Sequence, residues 1–201
     1  MLIDASSYRN LEIIGVIESV EDLETVKQIK EELGTISCNV YEVTEEELNQ
    51  LLRYLEIIAE QIDKQISVEL KKDNKLSVIN IFNPKSARGK ISLHYGELYL
   101  LARAISHQDT ILCDDESVLF ICSLLNGICG VELDIIRTIE YLHSRFRAGK
   151  ISAIDFVNYF EKMKNLGLIN IRIPPKNIKD ESTIDVLLKF MYYLAEYYDG
   201  Q

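Results

Sequence analysis

No run of apolar residues in this 201-residue chain is long enough to cross a bilayer, so a helical membrane protein is not expected. The opening MLIDASSYRN has neither a basic leader nor an apolar h-region; a secretory signal is therefore not expected, and the cytoplasm is the expected compartment. Cysteine pairs at metal or redox spacing are also missing. Cys38, Cys113, Cys122 and Cys129 form no C-x-x-C, and each sits in an apolar stretch, which points to buried free thiols rather than zinc. Positive charge is scarce: 22 Lys and Arg face 32 Asp and Glu, a net charge of −10. That argues against a protein that coats nucleic acid non-specifically, since such binding comes from neutralising phosphates, but it is compatible with contact at one site. There is no Gly-rich phosphate loop and no Ser-His-Asp order, and His94, His107 and His143 form no motif.

What remains is a chain 47% hydrophobic and 27% charged, which supplies a core for one globular domain or a domain with an appendage. MLIDA reads as a short buried strand, and residues 8–15 as a short helix closed by Gly15. The S-x-x-D at 19–22 predicts a helix running to about Leu33 and stopped by Gly34. TISCNVY (35–41) reads as a strand. A second capping box at Thr44-Glu47 opens a helix to about Ile66, with Leu48, Leu51, Leu52, Leu55, Ile58 and Ile62 at helical spacing. KLSVINIF (75–82) alternates as a strand, and NPKSARGK (83–90) is a basic loop. A helix at 94–106, a strand TILC at 110–113 and a helix at 116–125 follow. A brief strand or turn is expected at 128–131, then helices at 132–147 and after the Ser152-Asp155 cap, a strand at 168–173 and, past Pro174-Pro175, an amphipathic helix at 182–198. Strands alternating with helices predict an α/β fold with a mostly parallel sheet and helices on both faces.

Ligands collect beyond the carboxyl ends of the strands in such a sheet. Asp4 ends the first strand and Asp114-Asp115 end TILC. Glu97 opens the helix that feeds TILC, and Glu46 or Glu47 opens the helix after the second strand. Taken singly these acids have ordinary duties: helix caps, dipole complements, turn residues. Converging on one edge, they would repel one another unless a cation were present, and an oxygen-only ligand set suits Mg²⁺ or Mn²⁺. Such a cluster could activate water and steady an in-line phosphoryl displacement, and Arg9, Lys85, Arg88 and Lys90 are the expected contacts for the phosphates of such a substrate, a solvated loop being the simpler duty of the last three. Tyr95 is placed to stack on a base or, more simply, to pack in the core.

The ordered landmarks MLIDASS, LHYGELYLLARAI and TILCDDESVLFICSLLNG, with GVELDIIRTIEYLHSRFRAGKIS and LGLINIRI after them, resemble the PIN-domain nucleases, in particular the archaeal and bacterial toxin-like ribonucleases. The match is good over 1–16 and 91–173 and thin over 35–90. It implies a three-layer α/β/α fold over 1–173, with an insertion-like helix and strand within 35–90 and a helical extension at 174–201. It also implies metal-dependent cleavage of phosphodiester bonds, most often in RNA, with DNA also open. Asp4 would be the first family acid, with Ser6 as the hydroxyl beside it. Glu97 would be the third and Asp114 or Asp115 the fourth, Asp115 being favoured by its spacing from the strand. The second should open the helix after strand two, at Glu47 or Glu46. On this resemblance Asp4, Glu97 and Asp115 hold the Mg²⁺ or Mn²⁺, with Glu47 or Asp114 orienting water. PIN-like proteins are often dimers, and a toxin role would imply a small antitoxin partner, which nothing in the chain demonstrates. Cys113 stands where the family often has Thr. The competing expectation is a non-catalytic PIN-like binding or assembly protein, whose dimer contact would be the terminal helix with its Tyr192, Tyr193, Tyr197 and Tyr198 cluster.

Overall fold

Leu2 and Ile3 set the layering. Both are wholly buried, and because adjacent strand residues point to opposite faces they enter two different cores. A strand buried on both sides needs helices above and below, and that is the architecture of the computed structural model, which describes residues 1–20, 22–62, 65–70, 76–82 and 91–167. In chain order the elements are β1 (Leu2–Ile3), α1 (Ala5–Ile14), a 3₁₀ turn at Ile17–Ser19, β2 (Glu24–Val26), α2 (Lys27–Leu33), β3 (Asn39–Tyr41) and α3 (Glu45–Gln61). Next come β4 (Gln65–Leu70), β5 (Leu76–Phe82), β6 (Ile91–His94), α4 (Tyr95–His107), β7 (Ile111–Leu112), α5 (Glu116–Cys129), β8 (Ile135–Ile136), α6 (Thr138–Arg147) and α7 (Ala153–Asn165).

Five strands form one all-parallel sheet in the order β3-β2-β1-β7-β8. Leu2 and Ile3 pair with Ile111 and Leu112 on one side, and Leu2 with Glu24 on the other. One face is covered by α2, α3, α4 and α5 through Ile29, Leu51, Leu55, Leu98, Leu101, Val118 and Ile121. The other is covered by α1, α6 and α7 through Tyr8, Leu11, Leu142, Phe156 and Phe160. The expected three-layer α/β/α arrangement is therefore present. β1 and β7 are neighbours in space, and the chain builds outward from them in opposite directions. That reversal of strand order is where open α/β sheets leave a crevice for ligands.

A second, antiparallel sheet, β4-β5-β6, was not expected from the sequence except for β5. It buries Ile79, Ile81 and Leu93 in the same core as α3 and α4 and ends on His94, which delivers the chain into α4. The helix expected to reach Ile66 accordingly stops at Gln61.

Several boundaries differ for identifiable reasons. Ser19 does not cap a helix: its hydroxyl donates to the Val16 carbonyl at 2.7 Å, and Asp22 takes a positive φ of 58°. The chain therefore turns, forms β2, and only then enters α2. Strand β3 is confined to the last part of the expected 35–41 run. Helix α5 passes through Asn126-Gly127 and closes on Gly130, whose φ of 66° suits a residue without a side chain. No strand forms at 128–131, and β8 occupies part of the stretch expected to be helix from 132. The four cysteines are free, as expected; Cys113 and Cys122 are buried, Cys38 and Cys129 partly so. The basic loop at 83–90, the strand expected at 168–173 and the extension at 174–201 lie outside the described residues. No helix among the described residues is long and apolar enough to cross a membrane.

Candidate functional site

Three elements end or begin at the β1/β7 reversal, and each contributes a carboxylate. Asp4 follows β1 directly and caps α1. Its Oδ1 accepts the Ser7 amide at 2.8 Å, and its Oδ2 accepts the Ser6 hydroxyl at 2.5 Å. Asp115 follows β7 and caps α5, with Oδ1 accepting the amides of Ser117 at 2.7 Å and Val118 at 3.2 Å. Glu97 sits in the first turn of α4, where Oε2 accepts the His94 amide at 2.7 Å. These hydrogen bonds are the ordinary capping duties expected of such residues, and they also fix where the carboxylates point.

The three line one cleft of about 100 Å³ together with Glu32, Arg9, Ser6, His94 and Gly96. The crowding shows in their acidities. Burial pushes the Glu97 carboxyl up to about 7, the charges of Asp115, Asp4 and Glu32 push the same way, and the His94 amide opposes them. Burial likewise raises Asp4, 3% exposed, against the hydrogen bonds from Ser6 and Ser7, and the nearby Asp114 adds to the rise. A site that disfavours its own negative charge in this way suits a cation. Among the described residues, no three His, Cys, Asp or Glu side chains already stand in ligating geometry.

Glu32 was not anticipated. It lies in the last turn of α2, which is the C-terminal part of the helix expected to run to Leu33; the strand β2 ahead of that helix was not expected, and Glu32 reads in the sequence as one of several solvent-facing acids. The signal available was positional: it is an acid on the helix after the second strand, once that strand is recognised at Glu24–Val26. Its approach to Glu97 depends on Gly96. A Cβ built there would stand 2.8 Å from Ile29 Cγ1, so the absence of a side chain lets α2 rest on the first turn of α4. Gly96→Ala is expected to destabilise the fold by about 1–3 kcal/mol through overpacking. Urea unfolding monitored by circular dichroism reads this directly, as a lower midpoint with an unchanged slope.

Glu47 does not belong to the cleft. It completes a true capping box, accepting the Thr44 amide at 2.6 Å and hydroxyl at 2.8 Å, and its other oxygen lies 3.0 Å from His107 Nε2 and 3.8 Å from Arg103. Arg103 and His107 are six and ten residues beyond Glu97 on α4, roughly 9 and 15 Å along the helix axis. Burial alone would raise the Glu47 carboxyl, but Thr44 and His107 together hold it below its usual value. Glu46 points outward on α3, beside Glu45, Asn49, Gln50 and Arg53.

Asp114 also departs from the expected role. Oδ1 accepts the Thr138 amide at 2.9 Å; Oδ2 accepts the Thr138 hydroxyl at 2.5 Å, Asn10 Nδ2 at 2.9 Å and the Ser7 hydroxyl at 3.3 Å. It clamps α1 to α6 while its neighbour Asp115 faces the cleft. Of the expected basic contacts, Arg9 lines the cleft, and Lys85, Arg88 and Lys90 lie outside the described residues. Tyr95 packs edge-on against Tyr99 at 4.9 Å, and His143 lies among Phe146 and Phe156.

No family model, curated protein or solved structure matches this chain.

Proposed function

We propose that the chain is a PIN-like, Mg²⁺- or Mn²⁺-dependent nuclease that cleaves phosphodiester bonds in single-stranded RNA, with DNA as the alternative substrate. The observation that carries this reading is the meeting of Asp4, Glu97 and Asp115, from three separate elements, in one small cleft whose carboxylates resist ionising together. Asp4, Glu97 and Asp115 would hold the cation. Glu32, from the last turn of α2, would add a fourth carboxylate to the cleft, whose lining includes neither Glu46 nor Glu47, the residues expected as the second family acid. When bound, such a cation lowers the pKa of a coordinated water and stabilises charge on a phosphate. The Ser6 hydroxyl holds Asp4 Oδ2 in one orientation, and the α5 amides do the same for Asp115 Oδ1. The Ser7 and His94 amides hold Asp4 and Glu97 from behind. Ligands pre-set in this way lose little freedom on binding.

Thermal unfolding with Mn²⁺ tests the reading. At about 100 times its Kd the ion should stabilise wild type by about 2.7 kcal/mol, and by much less in Asp4→Asn. Wild type should also cleave single-stranded RNA with Mn²⁺ while Asp4→Asn does not. Absence of any thermal shift or cleavage would overturn the nuclease reading and leave the binding or assembly module.

A further inference from the structure

Besides the cleft, the carboxyl edge of the sheet carries two arginine side chains that the metal site does not use; Arg137 caps α6 through its backbone, whose amide donates to Glu140 Oε2 at 2.9 Å. Arg9 of α1 lines the cleft and pairs through Nη2 with Glu32 Oε1 at 3.5 Å, both side chains about half exposed. Arg137 follows β8 and pairs through Nη2 with Glu116 Oε1 at 3.1 Å, the two being 33% and 65% exposed. Arg137 is fixed beside the site from two directions: the next residue, Thr138, donates its amide to Asp114, and Glu116 directly follows Asp115. β8 stands two strands from β1, about 10 Å at normal strand spacing, which puts Arg137 on the far side of β7 and its Asp115 from β1, the strand that leads into α1 and Arg9.

The geometry points to a substrate track along this edge, in which Arg9 and Arg137 each exchange a carboxylate partner for a backbone phosphate of single-stranded RNA lying across the cleft. The inference rests on the nuclease reading and adds to it the residues that position the strand. Exposed ion pairs contribute about 0–1 kcal/mol, so leaving them costs little. Arginine meets phosphate with two parallel, charge-assisted hydrogen bonds, a stronger arrangement than either existing pair provides. A chain with net charge −10 needs local cations if a polyanion is to approach a cluster of carboxylates, and pairing with Glu32 and Glu116 keeps both guanidinium groups at the edge in the absence of substrate.

The experiment measures binding of a fluorescein-labelled oligouridylate by anisotropy, in a Glu97→Gln background that prevents cleavage, over roughly 50–200 mM salt. Each of Arg9→Ala and Arg137→Ala should reduce the slope of log K against log salt by about 0.7, and the double variant by about 1.4. Arg137→Lys should retain the slope, because it retains the charge. Arg53→Ala, on the outer face of α3, should also leave it unchanged. An unaltered slope for Arg137→Ala, an equal loss for Arg53→Ala, or no binding by the Glu97→Gln parent overturns the track. Loss of the track with the Mn²⁺ thermal shift and RNA cleavage of wild type intact leaves the nuclease reading standing; loss of all three removes both.

Discussion

Glu97→Gln should make the protein more stable at pH 8 and abolish Mn²⁺-dependent RNA cleavage. The two effects have one origin. In the folded chain the Glu97 carboxyl is raised to about 7 from an ordinary 4.5, by burial first and by Asp115, Asp4 and Glu32 after it. The folded state therefore binds this proton more tightly than the unfolded state does. Stability associated with the group is fully present below pH 4.5, declines as the pH rises, and is lost above 7. The shift corresponds to about 3 kcal/mol at 1.36 kcal/mol per unit. Glutamine keeps an oxygen for the His94 amide and carries no charge, so it escapes this loss. The melting temperatures of wild type and Glu97→Gln should coincide near pH 4 and diverge by about 5–10 °C at pH 8 in the absence of divalent ions. Mn²⁺ should close most of the gap by stabilising the ionised wild-type site. Parallel pH profiles for the two proteins would mean that Glu97 does not carry this charge conflict.

Asp114→Ala should unfold more readily by about 3–5 kcal/mol, because it strips the shared acceptor from charge-assisted hydrogen bonds linking α1 to α6. The amide and hydroxyl of Thr138, buried at the start of α6, and Asn10 on α1 would all lose their partner. The expected signature is a lower urea midpoint and a fall of about 10 °C in melting temperature. A fully folded Asp114→Ala with normal stability and no Mn²⁺ response would instead assign Asp114 to the cation. The contrast with Asp115 shows how adjacent carboxylates divide: one closes a joint between helices, and the other faces the cleft.

The sheet-and-helix alternation was legible because its long helices have clear apolar periods and chemically defined starts. Thr44-Glu47 and Ser152-Asp155 behave as their spacing promises. Ser19-Asp22 has the same form and fails, because Asp22 turns the backbone and the hydroxyl is taken by Val16; a four-residue pattern cannot report that. β2 and β8 have three and two residues, too short to establish a period. Strands β4 and β6 were lost at the ends of stretches read as a helix and as a loop. At the site, Asp4, Glu97 and Asp115 were accessible because each stands at the junction of two recognisable elements. Glu32 was not, since its place depends on how closely α2 approaches α4 at Gly96. Glu47 completes a capping box and falls outside the cleft, which the sequence could not tell, because a capping glutamate and a ligand glutamate look alike until their neighbours are known.

β1 lies at the centre of the sheet, yet its partner β7 begins more than a hundred residues later, and Asp114 must still await Thr138 beyond that. During synthesis, then, Asp4 spends most of the chain's emergence from the ribosome without the strand and helix that complete its surroundings. The acidic edge is complete only once β7, α5 and the start of α6 have been made, so ribosome-bound fragments that stop short of α5 should show neither the Mn²⁺ response nor the cleavage proposed for the folded chain.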